Sequence, residues 1–174
     1  MWANNHWPLG KIACYTMAMK WAKPPLNKVY EALGAIGDKR IELDGNCAKV
    51  YSSSRNKYYD VVYDPTTHSI TSNDNASYYV GYLGYPSITY LLAIGKIDYD
   101  PVLAEYLAGF AWKDINQKFK NNFAKTDAYI DGEVAQKHNV DIDDFHSSLE
   151  DILDKVMALD LNKIKSSLKP PKGY

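Results

Sequence analysis

The sequence predicts an α+β fold, and three observations carry that expectation. Apolar residues recur at helical spacing up to about residue 36, alternate with a period of two between residues 40 and 72, and return to helical spacing afterwards. Asp44-Gly45 stands between the first two alternating runs, a residue pair that favours a tight hairpin turn. Apolar residues make up 46% of the 174, enough to bury one ordinary core. The expected layout is N-terminal helices, a four-stranded antiparallel β-meander followed by a helix, and an all-helical C-terminal half. Residues 1–97 and 98–174 form the two parts, packed as one unit.

Each element has its own signal. Residues 8–22 read as a helix, with Pro8 in the first turn and Ile12, Tyr15, Met19 and Ala22 on one face. Pro24-Pro25 ends it. A second helix covers residues 26–36, and Gly34 and Gly37 bracket its frayed end. Strands follow at residues 40–43, 47–51, 58–63 and 68–72, joined by short polar turns that dictate antiparallel pairing. Residues 73–86 read as a loop rich in Asn, Gly and Tyr. Pro86 opens a helix that Gly95 closes, and Asp100-Pro101 caps the next, to about residue 110. Residues 113–124 form another. Thr126 is the expected cap of a helix over 127–137, and Asp141, with Asp144, caps the last.

Charge and composition narrow the function. The net charge is −1, so no global field draws the chain to nucleic acid. Residues 1–60 nevertheless hold nine Lys/Arg against five Asp/Glu. Cys14 and Cys47 lack partner spacing and read as buried thiols of a reducing, cytoplasmic protein. No membrane span and no signal peptide are expected. Fifteen tyrosines, many paired or alternating, read either as core finished with Tyr or as a contact surface.

Phosphate loops and nucleophile elbows are absent. Two acidic sets could bear chemistry. His138, Asp141, Asp143, Asp144 and His146 could hold a divalent metal, or serve as the capped first turn of a helix. Asp127, Asp131 and Glu133 are a carboxylate set or a solvated helix face. Lys39, Arg40, Lys49, Arg55 and Lys57, with Tyr58 and Tyr78, supply cations and aromatic faces suited to nucleic acid. Lys113, Lys118, Lys120 and Lys125 offer a second basic stripe. Ile142, Phe145, Leu149, Ile152, Val156 and Leu159 are spaced as a narrow seam. That seam is either packing within the domain or the contact face of a partner, including a homodimer.

The order of parts over residues 26–97, with the segment Gly84-Tyr85-Pro86-Ser87-Ile88-Thr89 opening the helix after the meander, resembles the SWIM zinc-finger domain. Members of that family place Cys-x-Cys at the end of the meander and Cys-x-His at the start of the helix, which converge on zinc. The corresponding positions here are Ile70, Ser72, Ser87 and Thr89, so the resemblance implies a module that has lost its metal. The expectation is therefore a non-enzymatic protein without metal or cofactor that binds nucleic acid or a protein. The alternatives are an assembly subunit working through the seam and a metal-dependent enzyme using the Asp/His set.

Overall fold

The structure is a computed structural model that describes residues 19–164 and 169–172. At its centre lies α1 (Asn27–Gly37), in which every residue from 27 to 35 is buried. A helix buried on all sides must have neighbours all round. On one side α2 (Tyr85–Ala93) separates it from the sheet, packing on β1 to β4. α1 also packs on α3 (Pro101–Tyr106) and on α6 (Ile142–Ala158). Its glycines make these approaches possible. A Cβ at position 34 would meet Trp112 and the Leu107 carbonyl, and one at position 37 would collide with the Ala104 carbonyl. Gly34 and Gly37 therefore serve close packing, and the helix does not fray at Gly34.

The sheet has five strands in the order β1 (Ile41–Asp44), β2 (Cys47–Tyr51), β3 (Tyr58–Asp64), β4 (Ser69–Ser72) and β5 (Asn162–Lys163). The first four form the expected antiparallel meander, with Gly45 in the left-handed region at the hairpin. Alternation decides the faces: Ala48, Val50, Tyr59, Val61 and Tyr63 are buried, while Lys49 and Tyr58 are exposed. β5 adds a fifth strand at the edge of that four-stranded meander. It pairs parallel to β4, Ser69 opposite Asn162 and Ile70 opposite Lys163. Two residues carry no periodicity that a sequence reading could detect.

Other boundaries differ for local reasons. Most of the helix expected over 8–22 lies outside the described residues. Its last four residues are not helical: Lys20 bridges Asn162 and Ala22 bridges Tyr82. The 73–86 loop contains a π-helical turn, Ala76–Val80, closed by left-handed Gly81. The helices α3 and α4 (Trp112–Lys118) are shorter than expected, and α5 spans Phe123–His138. α5 is capped by Asn122, whose side chain accepts from Lys125 N; Thr126 is buried inside the helix instead. Asp141 caps α6 by accepting from the backbone N–H of Asp143 and Asp144. Cys47 is exposed, not buried; Cys14 lies outside the described residues.

The seam of α6 is used within the chain. Phe145, Leu149, Ile152 and Val156 are buried in the shared core, and Ile142 and Leu159 pack against its edge. Phe145 meets the Tyr30 ring edge-on at 5.7 Å.

Candidate ligand cleft

Three parts of the fold leave a cleft of about 520 Å³ between them: α1, the segment from the π-helical turn to the start of α2, and α4 with the turn beyond it. Lys28, Glu31, Asp74, Lys113 and Asn116 supply its polar lining, and Tyr59, Tyr82, Tyr85 and Phe123 its aromatic walls. A recess of about 70 Å³ shares Glu31, Tyr59, Tyr85, Lys113 and Asn116 with it, and adds Arg40, Ser52, Ser53, Lys57 and Trp112.

The floor is a polar network that crosses three helices. Asn27 Nδ2 donates to Asp127 Oδ1 at 2.6 Å, and Lys28 Nζ donates to Asn27 Oδ1 at 3.3 Å and to Glu31 Oε1 at 3.0 Å. Asn116 Nδ2 donates to the same Glu31 oxygen at 3.0 Å, and Thr126 Oγ1 donates to Asn116 Oδ1 at 3.3 Å. Lys28 and Glu31 are both buried, so each needs the other; breaking either side would leave an uncompensated buried charge. Lys28 Nζ also lies 4.6 Å over the Phe123 ring. Burial pushes the Asp127 carboxyl up from 3.8 to about 6, against the opposing pull of its bond from Asn27.

At the other side Asp74 is held by its neighbours. Its Oδ1 accepts from Ala76 N at 2.9 Å and Ser77 N at 3.1 Å, which starts the π-helical turn. Its Oδ2 is buried without a partner. Gly84 presses on this carboxyl so closely that any Cβ there would collide with it.

Arg40 is the least expected member. Lys39, at φ +53, reverses the chain and turns Arg40 inward, where it is only 2% exposed. Its backbone is bonded on both sides, N–H to Ala35 O and carbonyl from Tyr51 N. Its Nε donates to Asp38 Oδ2 at 3.0 Å and Nη1 to Tyr51 O at 2.8 Å, while Nη2 is buried with no partner. Arg40 therefore does not belong to a surface patch.

The remaining basic residues of the meander do not form one patch either. Lys49 lies 4.8 Å over the Tyr58 ring on the outer face. There Glu42 and Asp60 flank it in register, so that face is not cationic. Lys39 is exposed, Arg55 donates to the Asp38 carbonyl, and Tyr78 meets the Tyr79 ring edge-on on the π-helical turn. Lys57 turns toward the recess, 5.5 Å over the Tyr59 ring. Of the helical stripe, Lys113 joins it there, Lys118 covers the Tyr129 ring at 4.5 Å, and Lys120 and Lys125 are exposed. The two basic sets thus meet only through Arg40, Lys57 and Lys113. Sequence reasoning missed Lys28, Glu31, Asp74, Tyr59 and Asn116 as a group; charged residues inside the fully buried stretch of α1 were the available signal.

The four positions aligned with zinc ligands are core. Ile70, Ser87 and Thr89 are wholly buried and Ser72 nearly so. Ser72 Oγ accepts from Asp74 N, and Thr89 Oγ1 donates to Tyr85 O at 2.8 Å. Ile70 has no donor atom and the hydroxyls are taken up locally or packed, so zinc does not fit these residues.

Nor does the Asp/His set converge. Asp141 is spent on capping, Asp143 and Asp144 are exposed, and His138 stacks on Tyr106 at 4.6 Å. His146 Nε2 instead meets Asp131 Oδ2 at 2.9 Å, and the Tyr30 hydroxyl donates to Asp131 Oδ1 at 2.7 Å. Burial, then the bond to Asp131, pushes the Tyr30 phenol far above its usual range. Glu133 is exposed and separate from Asp127 and Asp131. Among the described residues no group of three or more His, Cys, Asp or Glu could hold a metal ion.

A family model described as uncharacterised conserved protein UCP014422 matches residues 21–162. The chain belongs to that family. The matched stretch contains every residue of the cleft and reaches the first residue of β5. No curated protein and no solved structure matches the chain. Among the described residues no helix is long and apolar enough to cross a membrane.

Proposed function

We propose that this chain is a non-enzymatic binding module for nucleic acid, built on a metal-free SWIM-like centre, and that its ligand enters the cleft beside α1. The order of meander and α2, with packed side chains at 70, 72, 87 and 89, supports the metal-free centre. The observation that carries the binding reading is Arg40. A guanidinium taken out of water is costly unless all its donors are used, and Nη2 lacks a partner. It lines a recess that Lys57 and Lys113 also line, and the adjoining cleft is walled by Tyr59, Tyr82, Tyr85 and Phe123. Cations for phosphate and aromatic faces for stacking bases are the ingredients of single-strand recognition.

Fluorescence anisotropy of labelled single- and double-stranded oligonucleotides, at low and moderate salt, tests this. The expected outcome is single-strand binding that weakens steeply with salt, with a log–log slope of roughly −0.7 per phosphate neutralised. Lys113→Glu weakens it further. Binding that ignores salt, or no binding, overturns the reading. In that case a protein partner gains weight, because Tyr78, Tyr79 and Val80 stand 38%, 72% and 64% exposed on the π-helical turn, and Val80 lines the cleft.

A further inference from the structure

Resting on that reading of the cleft, we infer that the recess around Arg40 is a subsite for a phosphate monoester, the terminal phosphate of a strand or a nucleotide. Size sets the first limit. A water needs roughly 10–15 Å³ of such space, so 70 Å³ admits a tetrahedral anion with some water but not a sugar and base. The neighbouring cleft, at 520 Å³, has room for the base that the small recess lacks. A ligand bearing its charge at one end and a flat ring beyond it matches the two compartments.

Chemistry sets the second limit. Arg40 is held by Asp38 and Tyr51, which fixes the plane of the guanidinium and leaves both N–H groups of Nη2 without a protein acceptor. A fixed guanidinium binds a phosphate oxygen with geometric selectivity that a mobile lysine lacks. Lys57 and Lys113 bring two further cationic side chains to the same lining. The Glu31 carboxylate, which also lines the recess, is engaged by Lys28 and Asn116. A terminal phosphate carries about −1.5 to −2 charge at pH 7, more than an internal diester, so it gains more from this setting.

The test uses the full chain and one short labelled single strand in 5′-phosphorylated and 5′-hydroxyl forms, with inorganic phosphate as competitor and as a ligand in its own right by ³¹P line broadening. The expected result is about tenfold tighter binding of the phosphorylated form, the size of one charge-assisted contact. Phosphate competes that difference away. Lys57→Ala removes most of the difference with an unchanged circular dichroism spectrum. Arg40→Lys removes it as well if it folds; if it does not fold, Lys57→Ala decides. Equal binding of both forms overturns the subsite and leaves the nucleic-acid reading standing. Phosphate binding without strand binding keeps the subsite and overturns that reading. Binding of neither overturns both.

Discussion

Gly34→Ala tests the packing on which the cleft depends. In a free helix the change stabilises, because alanine is favoured over glycine by about 1 kcal/mol. Here the new Cβ would lie 2.6 Å from Trp112 Nε1 and 2.9 Å from the Leu107 carbonyl oxygen. Comfortable contacts to carbon begin near 3.5 Å, so both neighbours would have to retreat by roughly 0.5–1 Å. The indole can tilt, but the Leu107 oxygen is backbone, and Leu107 is wholly buried. Overpacking of this kind costs roughly 1–3 kcal/mol, and its upper half applies where backbone must move. After the helix gain is subtracted, a net loss of about 1–2 kcal/mol remains, or ~5 °C in Tm for a chain of this size. Urea unfolding followed by circular dichroism measures it. Because Trp112 walls the recess, ligand affinity falls with the stability. A variant as stable as the parent, or more so, would refute the claim that Gly34 is there for close approach.

Two further predictions concern the core. Asp127 binds a proton more tightly folded than unfolded, so its contribution is favourable below about pH 4 and is lost as pH rises through about 6. Solvent reaches it in part, which reduces the effect to roughly 1 kcal/mol. Asp127→Asn keeps an acceptor for Asn27 Nδ2 and will therefore be more stable than the parent at pH 8 by that amount. Its advantage disappears at pH 4, as chemical denaturation at the two pH values will show; an advantage that is the same at both would exclude the burial effect. Leu149→Ala removes a wholly buried side chain and will cost about 3 kcal/mol. Its mass by light scattering will equal that of the parent, whereas a parent dimer that dissociates in the variant would return the seam to an interface.

The parts of the fold that could be read were those in which neighbours in sequence share one task. The alternation from Cys47 to Tyr63 reports a sheet with one wet face, and the 3–4 spacing of α6 reports one buried stripe. Asp100 and Asp141 announce helix starts because capping is local chemistry. The cleft could not be read in the same way, because its members come from α1, the Lys39 reversal, β3, the Asp74 turn and α4; Glu31 and Asn116, joined by a hydrogen bond, stand 85 residues apart in sequence. Arg40 misled for a physical reason: a lone arginine beside a lysine has the composition of a surface, and only the left-handed Lys39 sends it inside. Thr126 misled because any Thr before acidic residues looks like a cap, while its hydroxyl serves Asn116.

β5 has a consequence for how the chain is made. Until Asn162 and Lys163 arrive, the outer side of β4 offers unpaired backbone groups to any extended stranger. Ninety-three positions separate Ser69 from Asn162, and synthesis proceeds at roughly 5–20 residues per second. A nascent chain therefore spends several seconds with a sticky border that the finished protein does not show. Its danger of clumping is a matter of timing during translation, and chaperone demand will track how slowly ribosomes cross the codons between β4 and β5.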